Sequence, residues 1–100
     1  MIYIVSILSE AEQDIDKAYI WYELKQLGLG AKFFNSVDKA IHIIVNNPLI
    51  SEEIYKGIRR FVIKRFPFGI YYKVNSDIHE IQIVGVIHFM RNQRTFKKRI

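Results

Sequence analysis

The stretch Ile58-Arg59-Arg60-Phe61-Val62-Ile63-Lys64-Arg65-Phe66-Pro67-Phe68-Gly69-Ile70-Tyr71-Tyr72 decides the fold class. Its period is two. From Ile58 to Phe66 one face reads Arg59, Phe61, Ile63, Arg65 and the other Arg60, Val62, Lys64, Phe66, which is the alternation of a strand. Pro67-Phe68-Gly69 breaks the run, because proline fixes φ and glycine supplies conformational freedom. A second strand follows from Ile70 to Val74, then a turn at Asn75-Ser76-Asp77. His79 to His88 is the most apolar strand and is expected in the centre of the sheet.

Upstream the period lengthens. Ile2 to Leu8 is rich in β-branched residues and reads as a strand. Ser9-Glu10-Ala11-Glu12 has the form of a capping box, in which the Ser9 hydroxyl accepts from the N–H of residue 12 and Glu12 reaches back to Ser9. Ala11, Ile15, Ala18 and Tyr22 then recur at helical spacing with Tyr19 beside them, and Asp14 and Asp16 favour the positive end of the helix. Gly28-Leu29-Gly30 separates this helix from a second one. The second carries Phe34, Val37, Ile41 and Ile44 on one face, flanked by Phe33 and Ala40, and stops at Asn46-Asn47-Pro48. Leu49 to Tyr55 reads as a loop, and Phe89 to Ile100 as a basic, partly mobile tail. The order is β-α-α-β-β-β: an α+β fold with a helical hairpin on one face of a small, mainly antiparallel sheet. The other face is expected to be partly open. Residues 1–100 make a single domain.

Half of the residues are hydrophobic and a quarter charged, so the chain is expected to fold. Its net charge of +5 is divided unevenly. Residues 1–50 carry four Lys against six Asp/Glu, and residues 51–100 carry eleven Lys/Arg against four Asp/Glu. A basic half favours a polyanionic partner, either nucleic acid or an acidic protein segment. The plainer reading is a surface that keeps the protein soluble. There is no cysteine, which excludes disulfides and thiolate metal sites and fits a reducing compartment. No apolar run is long enough to span a membrane, and Met1 to Leu8 has no basic leader and reads as a strand rather than a signal peptide.

His42, His79 and His88 are far apart in sequence with no ligand spacing around them, so no metal site is expected. Neither a nucleophile signature nor a Gly-rich phosphate loop is present. What remains is a set of cations. Arg59, Arg60, Lys64 and Arg65 lie on one strand, Lys73 on the next, and His88 and Arg91 at the end of the last. Arg and Lys bind phosphates and carboxylates. The interleaved aromatics Phe61, Phe66, Phe68, Tyr71 and Tyr72 suit base stacking, but at alternating positions they suit a core better. For Arg59 and Arg65, pairing with Glu52, Glu53 or Asp38 is the structural alternative. RNA cleavage needs a base for the 2′-OH, an acid for the leaving oxygen and cations for the phosphate. His88 suits acid or base, and no second partner for it is evident.

Tyr55 to Tyr72 resembles the ParE branch of the RelE/ParE toxin superfamily, and so do Ala11 to Tyr22, Gly28 to Phe33 and Val86 to Asn92. The match covers nearly the whole chain in the right order. The resemblance implies the β-α-α-β-β-β fold and a cytoplasmic bacterial toxin of a type II toxin–antitoxin pair, with no cofactor. It implies a cognate antitoxin that wraps a segment around the toxin, using Arg59, Arg60, Lys64, Arg65, Arg91 and a groove around Trp21 and Tyr22. A homodimer and a heterotetramer with the antitoxin are both compatible with it. Plasmid stabilization is the role associated with such pairs. ParE-like members act on DNA gyrase and lack a ribonuclease centre; RelE-like members cut mRNA in the ribosome. For cleavage the candidate residues are Arg65, His88 and Arg91. The chain lacks the C-terminal tyrosine of the RelE-like branch, having Phe89 and Phe96 there, so the gyrase-type reading is preferred.

Overall fold

The computed structural model describes residues 2–91 and 94–99. The elements run β1 (Ile4–Ile7), α1 (Ser9–Lys25), α2 (Leu29–Asn46), β2 (Glu53–Tyr55), β3 (Ile58–Val62), β4 (Phe68–Asn75), β5 (Glu80–His88) and α3 (Arg94–Lys97). One sheet holds the five strands in the order β1-β5-β4-β3-β2. β1 lies parallel to β5, with Ile4 opposite Glu80 and Ile7 opposite Ile83, and the other pairings are antiparallel. The α+β architecture is the expected one, with β5 inside the sheet and β4 at its middle. The segment 49–55 is not all loop, because Glu53–Tyr55 forms a short edge strand. Three residues are too few for a period to show.

α1 buries Ala11, Ile15, Ala18 and Tyr22, as their spacing requires. Its start differs from the expected capping box. Leu8, not Ser9, is the cap residue, and no side chain caps the helix. The Leu8 N–H donates to Ile83 O (3.0 Å), so the β1–β5 pairing holds Leu8 extended and starts the helix one residue early. The Ser9 hydroxyl is left to donate to Glu10 (3.2 Å).

Gly28 separates the helices with φ of 88°, a left-handed conformation that any Cβ would strain. The Glu23 carboxylate accepts from the N–H groups of Gly28 (2.9 Å) and Gly30 (3.0 Å), tying the end of α1 to the start of α2. On α2 the buried stripe is Phe33, Val37, Ala40 and Ile44. Val37 and Ile44 are buried as expected, but the flanking Phe33 and Ala40 replace Phe34, which is 50% exposed, and Ile41, which is only partly buried. Phe33 is drawn inward by the rings of Tyr22, Phe66 and Phe68, whose centroids lie 4.9 to 5.4 Å away.

The sheet has two covered faces. The helix side packs Ile63, Phe66, Phe68, Ile70, Tyr72, Ile81, Ile83 and Val86 against α1 and α2. The other side gathers Ile58, Tyr71, Val84 and Ile87 around Phe96 of α3. Phe96 is buried and stacks on Tyr71 with centroids 4.6 Å apart. This corrects two expectations: the second face is not open there, and residues 94–99 form a packed plug rather than a mobile tail. Met1, Asn92, Gln93 and Ile100 lie outside the described residues, including Asn92 at the end of the matched motif.

Candidate functional site

A buried carboxylate anchors the C-terminal segment. The Asp14 side chain accepts from both terminal nitrogens of Arg99 (2.6 and 3.1 Å) and from the Val86 N–H (3.0 Å). Arg91 approaches the same carboxylate at 3.5 Å. A two-pronged guanidinium and a backbone donor satisfy the lone pairs of an ion that burial would otherwise make costly. Arg99 also donates to Val84 O (3.1 Å). Its guanidinium passes where a side chain on residue 85 would stand, since a Cβ on Gly85 would lie 2.7 Å from Arg99 Nη1. Asp14 is therefore no dipole partner at the helix start, as its position suggested, but the centre of a tertiary ion cluster.

The turn after β3 separates the predicted cations. β3 ends at Val62, and the Ile63 N–H donates to Phe68 O across the turn (3.2 Å). Lys64 and Arg65 stand on this turn, not on a strand, and Arg65 has φ of 75°. Phe66 rolls under to the helix-side core. At the end of β5, His88 pairs with Phe68, the two rings edge to face at 5.1 Å. His88 Nδ1 accepts from the Met90 N–H (2.9 Å), which leaves Nε2 to carry the proton of the neutral ring. The Arg60 guanidinium lies over the Phe89 ring (6.0 Å). Arg91 is half-exposed and turned to Asp14.

Lys64 and Arg65 instead meet α2. They line a groove of about 400 Å³ together with Lys32 and Lys39 on the helix, and Ile43 and Val62 form part of its apolar floor. No Asp or Glu lines it among the described residues. Sequence reasoning missed Lys32 and Lys39, which belong to the acidic half of the chain. Their spacing of seven, two turns on one helix face, was the available signal.

The remaining predicted residues scatter. Arg59 donates to Ser51 O rather than to Glu52, Glu53 or Asp38. Tyr22 is a core ring, and burial pushes its phenol above the usual range. Trp21 is exposed, with Lys25 Nζ 4.5 Å from its ring centre. The two rings meet edge to face with centroids 5.1 Å apart, so Trp21 caps the solvent side of the core ring of Tyr22. His42 is exposed and its Nδ1 lies 2.8 Å from Asp38 O. No helix among the described residues is long and apolar enough to cross a membrane.

The family described as "ParE toxin of type II toxin-antitoxin system, parDE" matches residues 5–93. The chain belongs to the ParE toxin family. No curated protein matches it in sequence. Among solved structures, the chromosomal ParDE toxin–antitoxin system of P. aeruginosa superposes with a TM-score of 0.73 at 21% identity, over 87% of this chain and 96% of that one. The toxin–antitoxin complex RelBE2 of Mycobacterium tuberculosis gives 0.61 at 17%, over 88% and 99%. A mutant of the E. coli toxin RelE in the free state gives 0.75 at 14%, over 100% and 99%. At these identities the ParE-family chain shares the fold with both branches. Family membership makes it the toxin of a type II toxin–antitoxin pair.

Proposed function

We propose that this ParE-family chain arrests growth by binding a protein target, DNA gyrase, in the cytoplasm, and that a cognate antitoxin neutralises it. The observation that supports a binding role over RNA cleavage is where the three cleavage candidates point. Arg65 faces the α2 groove. Arg91 reaches to Asp14, and His88 packs against Phe68 with Nδ1 engaged by the Met90 N–H. Cleavage at a 2′-OH needs base, acid and phosphate cation converging on one phosphate. A basic surface without that convergence suits recognition of a protein.

The test is direct. Induction of the protein is expected to stop replication first, with translation continuing. Purified gyrase is expected to lose supercoiling activity in proportion to added protein, and unaffected supercoiling would overturn the reading. The competing outcome is ribosome-dependent mRNA cleavage in a translation extract, abolished by Arg65→Ala. Full toxicity of a folded variant carrying Arg65→Ala, His88→Ala and Arg91→Ala would exclude that outcome.

A further inference from the structure

The sheet ends at β1, which no further strand flanks among the described residues. β1 lies parallel to β5, and the N–H groups of Ile4 and Leu8 donate to His79 O (2.8 Å) and Ile83 O (3.0 Å). Successive residues of a strand direct their backbone groups to alternate sides. Ile4, Ser6 and Leu8 are therefore turned to β5, and Tyr3, Val5 and Ile7 hold their N–H and C=O outward. Natural edges are blunted by a charge, a proline or a bulge. Here Ile2-Tyr3-Ile4-Val5-Ser6-Ile7-Leu8 carries neither charge nor proline, and its pairing with β5 runs without a register shift. The side chains alternate as well. Tyr3, Val5 and Ile7 pack on the helix-side core, whereas Ile2 and Ile4, on the other side, are 87% and 67% exposed. The plug α3 does not cover them, since it gathers Ile58, Tyr71, Val84 and Ile87.

We propose that the chain forms a two-fold dimer in which β1 pairs antiparallel with β1 of a second copy, joining the two sheets into one. With the axis at Val5 the outward groups match in full. Val5 faces Val5 of the second copy and Tyr3 faces its Ile7, each pair exchanging two backbone bonds. On the exposed side Ile4 stands opposite the second copy's Ser6 and diagonal to its Ile4, so the two isoleucines leave water together. Charge selects this occupant. An acidic segment or a phosphate backbone finds no cation on β1, and the first charges beyond it are Glu10 and Glu12. Lys32, Lys39, Lys64 and Arg65 lie between α2 and the end of β3, and β5 and β4 separate β1 from β3. Pairing at β1 keeps the two basic regions at the far ends of the joined sheet, where salt screens their repulsion. A neutral, β-branched strand fits another of its kind, and the two-fold closes the assembly at two copies. A standard interface covers about 800 Å² on each partner. Two strands of this length cover less, so a Kd of about 10–100 μM is expected. The pairing rests on β1 alone and does not depend on which target the toxin binds.

The test is sedimentation equilibrium of the full chain without antitoxin, from about 1 μM to about 1 mM. The mass is expected to rise from 11.9 kDa to twice that value. Ile4→Lys puts a charge on the edge without entering the core and should weaken the dimer about tenfold or more. Val5→Pro removes an outward N–H that β5 does not use and should act in the same direction. Exchange of the Val5 and Ile7 amides should slow about tenfold as the wild-type concentration rises, and should not do so in folded Ile4→Lys. A mass that stays at 11.9 kDa throughout overturns the proposal. So does a dimer that folded Ile4→Lys leaves as tight as the wild type, or one in which Val5 and Ile7 exchange as fast as in the monomer. If the chain alone stays monomeric and added antitoxin protects these two amides, the edge belongs to that partner and the proposal is overturned as well.

Discussion

Asp14 shows how much a single side chain can hold. Its carboxylate joins α1 to the Val86 backbone and to Arg99, which lies 85 residues further along the chain. Arg99→Ala strands a buried charge and is expected to cost about 3–5 kcal/mol, with Arg91 nearby limiting the loss. Urea unfolding followed by circular dichroism would measure it. Replacing the pair by Asp14→Leu and Arg99→Met together should recover most of the stability, because no unpaired ion remains. Gly85→Ala would push a Cβ onto Arg99 Nη1. It should destabilise the wild type more than it does the Arg99→Ala variant, a coupling that a double-mutant cycle reads as non-additivity. None of this was legible beforehand. Asp14 looked like a dipole partner because its early helical position is local information, and an ion pair across the whole chain leaves no trace in any period.

At the scale of elements the sequence was more readable, for reasons that also mark its limits. The stripe Ala11, Ile15, Ala18 and Tyr22 predicted the buried face of α1 because apolar and polar positions separate cleanly there. On α2 the adjacent Phe33 and Phe34 left two phases open, and only the ring cluster chose between them. β3 was read four residues too long because the alternation persists through Arg65 while the backbone turns away after Val62. Of the four cations expected on one strand, only Arg59 and Arg60 lie on β3. The turn delivers Lys64 and Arg65 to α2 instead, where Lys32 and Lys39 complete a cluster drawn from both halves of the chain. The connection between the helices rests on one carboxylate. Glu23→Ala removes the acceptor of two backbone N–H groups and should cost about 1–3 kcal/mol, visible as faster amide exchange at Gly28 and Gly30. The plug α3 depends on Phe96. Phe96→Ala should cost about 3–5 kcal/mol and expose Tyr71 to solvent, detectable as dye binding to the uncovered sheet face.

The molecule as a whole is knit together end to start. β1 is the first strand in the chain and bonds β5, the last, and α1 is fastened to a segment that begins only at Arg94. Pairings of such sequence separation form slowly, because the loop between them must close before any contact is made. A nascent chain still attached to the ribosome holds β1 without its neighbour and Asp14 without Arg99. Domains fold as units during synthesis once enough chain is available, and here enough means nearly all of it. A truncated product therefore lacks what closes the fold: one that stops before Glu80 leaves β1 without its neighbour strand, and one that stops before Arg99 leaves the Asp14 carboxylate without its two-pronged partner.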